Sequence, residues 1–378
     1  MDKTMDRKAA EVFLPGEFIL EELEARNWSQ AELAEIMGRF PIEISGIISG
    51  KKAITPGIAK ELAEAFGTSA QLWLNLESSY RLSRAKEVDS TIARRAYLYN
   101  RAPIREMIKR HWIEPSDNIE VLEHRVLQFF EKESLTDSFS LPYAARKGTE
   151  GLSPSHWAWI FRAKKLALAA PCARTFSTQS LKNAQSELKR LLPSAQETRQ
   201  APKILADAGI RFLVLEHLPQ TRIDGVTLWL NAKAPVIALS LRYDRIDCFW
   251  YTLAHELGHV MRRDGMTQIM LDTAIFGQDA EAAESESEKA ADSYATDFLI
   301  NRSDIVDFIA RVRPLYGTQR VVGFAKIIGV HPGIVVGQLQ HRGEIGWSAF
   351  RPMLEKVRHI ITQSALTDGW GHIAPPIN

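Results

Sequence analysis

The sequence predicts an α+β protein, mostly α. It divides into an N-terminal all-α domain over residues 1–85, a helical connector over 86–200, a domain with a small β-sheet and an H-E-x-x-H helix over 201–350, and a tail over 351–378. Three observations carry this expectation. Residues 14–80 hold short apolar runs at helical spacing, each bounded by a capping residue or a glycine. After Gly209 the apolar period shortens to that of strands. A histidine pair one helical turn apart lies in the amphipathic run 249–261.

In chain order, Pro15 to Arg26 reads as a helix with Phe18, Ile19, Leu23 and Ala25 on its apolar side. Ser29-Gln30-Ala31-Glu32 is a capping box, in which the Ser29 hydroxyl takes the amide of Glu32 and the Glu32 carboxylate reaches back. Leu33, Ile36 and Met37 form the buried side of the helix it starts, and Gly38 ends it. A second short helix runs from about Ile42 to Ser49. Thr55-Pro56 starts the next, with Ala59, Leu62, Ala63 and Phe66 as its stripe. The last holds Leu72, Trp73 and Leu76. Short helices joined by a tight turn make a helix-turn-helix.

Residues 1–85 carry 10 basic and 13 acidic side chains, a net of −3, where phosphate contacts normally make such domains basic. The helix over 41–48 is poor in the Arg, Gln and Asn that read base edges. Arg39, Lys51 and Lys52 are the candidates for phosphate contact, with Gln30 anchoring the preceding helix. Two readings stay open, a DNA reader and a module for dimerisation or partner binding. One short recognition helix reads few bases, so DNA binding predicts a homodimer. The run Leu14-Pro-Gly-Glu-Phe, Trp28-Ser-Gln-Ala-Glu-Leu-Ala, Ile48-Ser-Gly-Lys-Lys-Ala-Ile-Thr and Leu72-Trp-Leu-Asn-Leu resembles the HigA type of antitoxin within the Cro/repressor class. That resemblance implies DNA binding, transcriptional regulation and a partner protein from a neighbouring gene.

Residues 81–120 are rich in Arg and Lys, which reads as a solvated helix face or an extension of a DNA footprint. Residues 118–200 read as helices punctuated by Pro142, Pro154, Pro171 and Pro193 and show no chemistry. Segments 211–216, 225–230 and 235–240 read as strands, the last two joined by 231–234. Residues 262–282 show no firm pattern and read as a wall or lid. Residues 319–345 read as a helix pair. The net charge of +1 gives no global argument for nucleic acid or an anionic membrane. Cys172 and Cys248 match no metal or redox spacing and read as buried thiols in a reducing compartment. No apolar run spans a membrane and the first residues lead into no signal-peptide core, so the expected location is the cytoplasm.

The chemistry concentrates at His255-Glu256-Leu257-Gly258-His259. On a helix, His255 and His259 point the same way and reach one metal ion, while Glu256 lies beside them and can hold water. Zinc suits such a site. Ile246, Phe249, Trp250, Leu253, Leu257 and Val260 form a stripe almost opposite the histidines. The helix is therefore expected to bury one face and present the histidines from the other, with Asp244 or Asp247 as its cap. A third ligand comes from the run 284–299, where Ala291, Tyr294, Ala295, Phe298 and Leu299 form a stripe with Glu288 and Asp292 along its edge. A carboxylate turned toward a core is costly unless paired or bound to metal. Glu288 is read as the third ligand, Asp292 as the acceptor for a ligand histidine's free N–H, and Glu284 as the rival ligand. Glu281 and Glu286 read as solvated charges at a helix N-terminus.

Tyr251-Thr-Leu-Ala-His-Glu-Leu-Gly-His259, followed by Glu288-x-x-Ala-Asp-x-Tyr-Ala-x-x-Phe-Leu299, resembles the ImmA/IrrE family of metallopeptidases over roughly residues 200–345. Asp292 and Tyr294 stand where that family has Asn and Phe, and Asn301-Arg302 replaces its Met-Pro. The resemblance implies a zincin-like fold and a zinc endopeptidase that cuts a protein substrate, typically a repressor or antitoxin, in a toxin–antitoxin, stress or phage-defence setting. Glu256 would then take a proton from water and pass it to the leaving amine. The rivals are a non-enzymatic regulator whose peptidase-like domain binds or senses a partner, and a peptidase toxin restrained by one.

Overall fold

The computed structural model describes residues 12–86, 90–137, 152–170, 172–266, 269–273 and 285–368. The chain forms two compact units, residues 1–90 and 91–378. Among the described residues no single helix is long and apolar enough to cross a membrane.

The first unit is five helices, α1 (Pro15–Arg26), α2 (Gln30–Ile36), α3 (Pro41–Ile48), α4 (Pro56–Phe66) and α5 (Ala70–Arg84). Proline, which needs no N–H partner in a first turn, opens α1, α3 and α4. The capping box forms: the Glu32 amide donates to Ser29 Oγ at 3.2 Å, and the Ser29 amide donates to Glu32 Oε2 at 2.6 Å. Ile19, Leu23, Leu33, Ile44, Leu62, Phe66 and Trp73 fill the core. Ile36, expected in that core, is exposed, and Ala34 is buried instead. The two flank Leu33 on the helical wheel, and α2 turns its smaller residue toward the core.

The second unit is built around a five-stranded mixed sheet. Before the sheet come α6 (Thr91–Arg101), α7 (Ile104–Lys109), α8 (Ile119–Phe130), α9 (Pro154–Ala169), α10 (Thr178–Lys189) and α11 (Ala201–Asp207). Then follow β1 (Arg211–Val214), β2 (Ile223–Trp229), β3 (Pro235–Leu239), α12 (Ile246–Arg262), β4 (Met270–Thr273), α13 (Glu286–Leu299), α14 (Arg302–Val312), α15 (Thr318–Ile328), α16 (Pro332–His341), α17 (Arg358–Ile361) and β5 (Leu366–Thr367). The strand order is β4-β2-β3-β1-β5; β1 runs parallel to β3 and β5, and β2 antiparallel to β3 and β4. Three strands match the sequence reading; β4 and β5 lay outside it, being too short to show a period.

Alternation along the strands divides the sheet between two cores. Phe212, Val214, Trp229, Ile237 and Leu239 join one core with Phe249, Trp250, Leu253 and Leu257 of α12. Leu213, Leu215, Val226, Leu228, Val236 and Ala238 join the other with Leu122, Val126, Phe130, Trp159 and Phe161 of α8 and α9. This corrects two expected boundaries. The segment 86–200 is not a connector past residue 90: α6 to α9 cover the second face of the sheet, which would otherwise expose apolar side chains, and α10 packs in the core shared with α12. The segment 351–378 is not a detached tail over its described part, because β5 extends the sheet at β1.

Two expectations for α12 also change. The helix has no solvated face: Ile246 through Val260 are all buried, because α13, α16 and β2 pack around it. Its N-cap is Arg245 with no side-chain cap. Asp244 instead accepts from the amides of Val357 and Arg358, and Asp247 pairs with Arg245. Of the two cysteines, Cys248 is buried but Cys172 is only partly so.

Candidate functional site

The site forms where α12, α13 and β4 converge. Gly258 sets the spacing: a Cβ there would stand 3.2 Å from the Ala291 Cα and 3.2 Å from the Tyr294 ring, so the two helices approach over this residue. That approach brings Glu288 against the histidine pair. Glu288 Oε2 lies 3.2 Å from His255 Nε2 and 3.5 Å from His259 Nε2, and the two Nε2 atoms are 3.1 Å apart. Asp292 accepts from His255 Nδ1 at 3.0 Å and from the Tyr251 hydroxyl at 2.9 Å. Glu286 is exposed, as expected. Glu284 and Glu281 lie outside the described residues.

Three participants came from outside the sequence reading. Asp264, just past the end of α12, accepts from His259 Nδ1 at 3.2 Å. Thr227 of β2 donates through Oγ1 to Glu256 Oε2 at 2.5 Å. Asp272 of β4 places Oδ2 3.3 Å from His255 Nε2. The signal for Asp264 was an acidic residue in the turn closing the helix; for Asp272 it was a lone carboxylate in Ile269-Met-Leu-Asp-Thr273. Nothing in the sequence marks Thr227.

These contacts decide the histidine tautomers. Each Nδ1 faces a carboxylate, which accepts, so each Nδ1 carries a hydrogen; in the neutral ring Nε2 then turns a lone pair inward, and in the protonated ring it donates to the carboxylates instead. Two imidazole lone pairs and the oxygens of Glu288 and Asp272 then converge, with one donor atom from each of the four residues within 4.8 Å of the others. Such a set repels itself unless positive charge lies among it. The histidines show this demand. Burial pulls His255 down, but the Asp272, Asp292 and Glu288 carboxylates outweigh it and leave its pKa well above 6.5. His259 is also raised: burial opposes, and Glu288 and Asp272 prevail. Burial opposes the charge on Glu288, yet hydrogen bonds from both histidines hold it below the usual carboxylate range.

Glu256 is wholly buried beside this set. Burial, then the neighbouring Asp272 charge, push its pKa well above the ordinary value. Gly225 makes its room: a Cβ there would fall 2.0 Å from Glu256 Oε1. Gly225 pairs with Asp272 across β2 and β4, so the strand carries no side chain where the two carboxyls meet.

In the first unit, α2 and α3 present the helix-turn-helix geometry, α3 following α2 through residues 37–40. Phe40 and Ile42, 75% and 81% exposed, stand at the start of α3. The helix-turn-helix family profile matches residues 19–73. An uncharacterised helix-turn-helix-type transcriptional regulator, YddM of Escherichia coli, is 40% identical over 82 residues, which is 21% of this chain and 87% of that protein. The chain belongs to the helix-turn-helix family. Virulence-associated protein I of Dichelobacter nodosus is 34% identical over 79 residues, 21% of this chain and 73% of that protein. Among solved structures, an addiction module antidote protein of the HigA family from Coxiella burnetii is 33% identical over 20% of this chain and 83% of its own, with a TM-score of 0.19. The Pseudomonas aeruginosa antitoxin HigA, solved with the higBA promoter, is 30% identical over 28% and 98%, also with a TM-score of 0.19.

Within this helix-turn-helix, the four residues read as phosphate contacts separate into two kinds. Gln30 and Lys51 are exposed. Arg39 is half-buried and committed to the carboxylate of Glu61, through Nε at 2.5 Å and Nη2 at 2.9 Å, with Glu43 nearby. Lys52 pairs with Glu43. The basic run after α5 is bonded within the second unit: Arg94 to Glu120 and Glu123, Arg110 to the carbonyls of Glu216 and His217.

Proposed function

We propose that the second unit is a zinc-dependent endopeptidase of the ImmA/IrrE kind, acting on a regulatory protein such as a repressor or antitoxin, and that the helix-turn-helix ties this activity to DNA. The observation that carries the first half is the convergence of two Nε2 lone pairs and carboxylate oxygens beside a buried glutamate. The donor set fits zinc: two imidazoles and the Glu288 carboxylate, each imidazole oriented from behind by Asp292 or Asp264. Glu256 Oε1 and Asp272 Oδ2 are buried without a hydrogen-bond partner among the described residues, a costly state that a cation relieves. Zinc held there supplies Lewis acidity toward a scissile carbonyl and toward water.

The remaining work belongs to the chain. Glu256, its Oε2 fixed by Thr227 and its Oε1 open to the site, takes a proton from water and returns it to the leaving amine. The test is incubation of the zinc-loaded, full-length protein with the products of its neighbouring genes. Wild type is expected to cleave one of them, and Glu256→Gln to bind metal without cleaving. Cleavage undiminished in Glu256→Gln, or no metal bound on titration, overturns the reading.

DNA binding rests on the family match and on the likeness to a transcriptional regulator. Paired copies would meet half-sites about one helical turn apart. A gel shift with the protein's own promoter tests this, and no shift at low salt counts against it. The same likeness favours one second reading, a regulator or antitoxin whose second unit binds a partner, a toxin among them, without cutting it. It is distinguished by a stable complex that survives with the partner intact.

A further inference from the structure

A catalytic zinc site keeps one position open, whereas a structural site is closed by four protein ligands. His255, His259 and Glu288 supply three, and the chain brings a fourth donor to them. Asp272 is 6% exposed, with Oδ2 3.3 Å from His255 Nε2 and within the same four-residue group. That oxygen accepts no hydrogen bond among the described residues. The oxygen is thus placed to reach a cation held between the two Nε2 atoms and Glu288.

The strand that carries it matters as much. β4 is the edge strand, paired antiparallel to β2 with Gly225 opposite Asp272. It therefore occupies the side of β2 to which an extended peptide would add as a strand. One strand thus fills the open metal position with its side chain and covers the β2 edge with its backbone. A register shift between Ile223 and Gly225 interrupts its ladder, which loosens its hold on β2.

We propose that Asp272 is a displaceable fourth ligand and that β4 is an internal plug. With β4 seated, the metal is closed by four protein ligands and the chain is latent. Withdrawal of β4 frees the fourth position and the β2 edge together, so one event admits both the water and the peptide. The inference rests on the metallopeptidase reading above.

Full-length protein loaded with cobalt, a visible-absorbing stand-in for zinc, tests it without a substrate. Acetohydroxamate, a chelating anion, is titrated into wild type, Asp272→Asn and Asp272→Ser. The serine variant needs no room that Asp272 does not already fill. Both variants are expected to bind acetohydroxamate at least about tenfold more tightly than wild type, and to hold cobalt more weakly. Equal acetohydroxamate affinity and an unchanged cobalt spectrum across the three proteins overturn the plug while leaving the three-ligand site standing. Failure of all three to bind cobalt overturns the metallopeptidase reading, and the plug with it.

Discussion

Gly225→Ala probes the placement of Glu256 through stability alone. The new Cβ would lie 2.0 Å from Glu256 Oε1, 3.0 Å from its Cδ and 3.1 Å from Thr252 Cγ2. The carboxylate must withdraw by about 1 Å, yet Thr227 holds its other oxygen at 2.5 Å and protein surrounds it. Overpacking of this kind costs about 1–3 kcal/mol, and replacing a strand glycine returns about 0.5–1 kcal/mol. The expected net loss is therefore about 0–2.5 kcal/mol. In a Glu256→Ala background the two Glu256 atoms are gone and only the 3.1 Å approach to Thr252 Cγ2 remains, so the same substitution should be near neutral. Urea unfolding of the four proteins in EDTA gives the coupling energy, in which the glycine gain cancels and the overpacking cost of about 1–3 kcal/mol remains. A coupling below about 0.5 kcal/mol would show that Gly225 does not hold the space for Glu256. In the zinc-loaded protein the same displacement should lower turnover on the order of 100-fold with metal content unchanged.

Four further outcomes are expected. Alanine at His255 or His259 should abolish stoichiometric zinc, measured by metal analysis after dialysis; retention at one ion per chain would refute the ligand set. Glu288→Ala should weaken zinc strongly, Asp292→Ala by about 10–100-fold through loss of the hydrogen bond behind His255, and Glu286→Ala not measurably, by chelator competition. The pKa values of His255 and His259 are raised on folding, so their stabilising contribution is fully present below the unfolded value of 6.5 and is lost as pH rises through the folded values. The melting temperature in EDTA should thus decline from about pH 6.5 upward while the gap to the zinc-loaded protein widens, since zinc needs both nitrogens unprotonated; a gap that narrows with pH would refute the assignment. Lys51→Ala should weaken binding to every DNA sequence alike and reduce the salt slope by about one, whereas Arg39→Ala should first lower stability, because its guanidinium serves Glu61.

The first unit was legible because its signals are local. Ser29 and Glu32, Thr55 before Pro56, and Gly67 after Phe66 each act within a few residues of themselves, and each does in the structure what its spacing implies. Helix burial read from periodicity held for Leu33 and Trp73 and failed for Ile36, because which edge of a stripe turns inward depends on the partner helix. Partnering also explains the charge. Arg39 and Lys52 looked free for phosphates in the sequence, but their carboxylates, Glu61 and Glu43, come from other positions brought near by the fold.

The candidate site divides along the same line. His255, Glu256, His259, Glu288 and Asp292 lie on two helices long enough to show a period, and a register of four places them. Asp272 and Thr227 come from strands, where a residue's neighbours belong to another strand and a distant helix. β4 is only four residues long, and nothing local says that its carboxylate turns toward α12. That direction follows from pairing: Met270 and Asp272 lie on the α12 face because Thr227 and Gly225 do, and Gly225 lies there because Glu256 fills the space its side chain would take. Gly225, which leaves room for Glu256, and Asp272, the proposed fourth ligand, are thus fixed by the register between β2 and β4. A shift of that register by one residue would turn Asp272 to the opposite face, against Val226 and Leu228. Buried apolar neighbours there exclude an ionised carboxylate, so the chemistry of the site helps hold the strand in register as much as the strand positions the site.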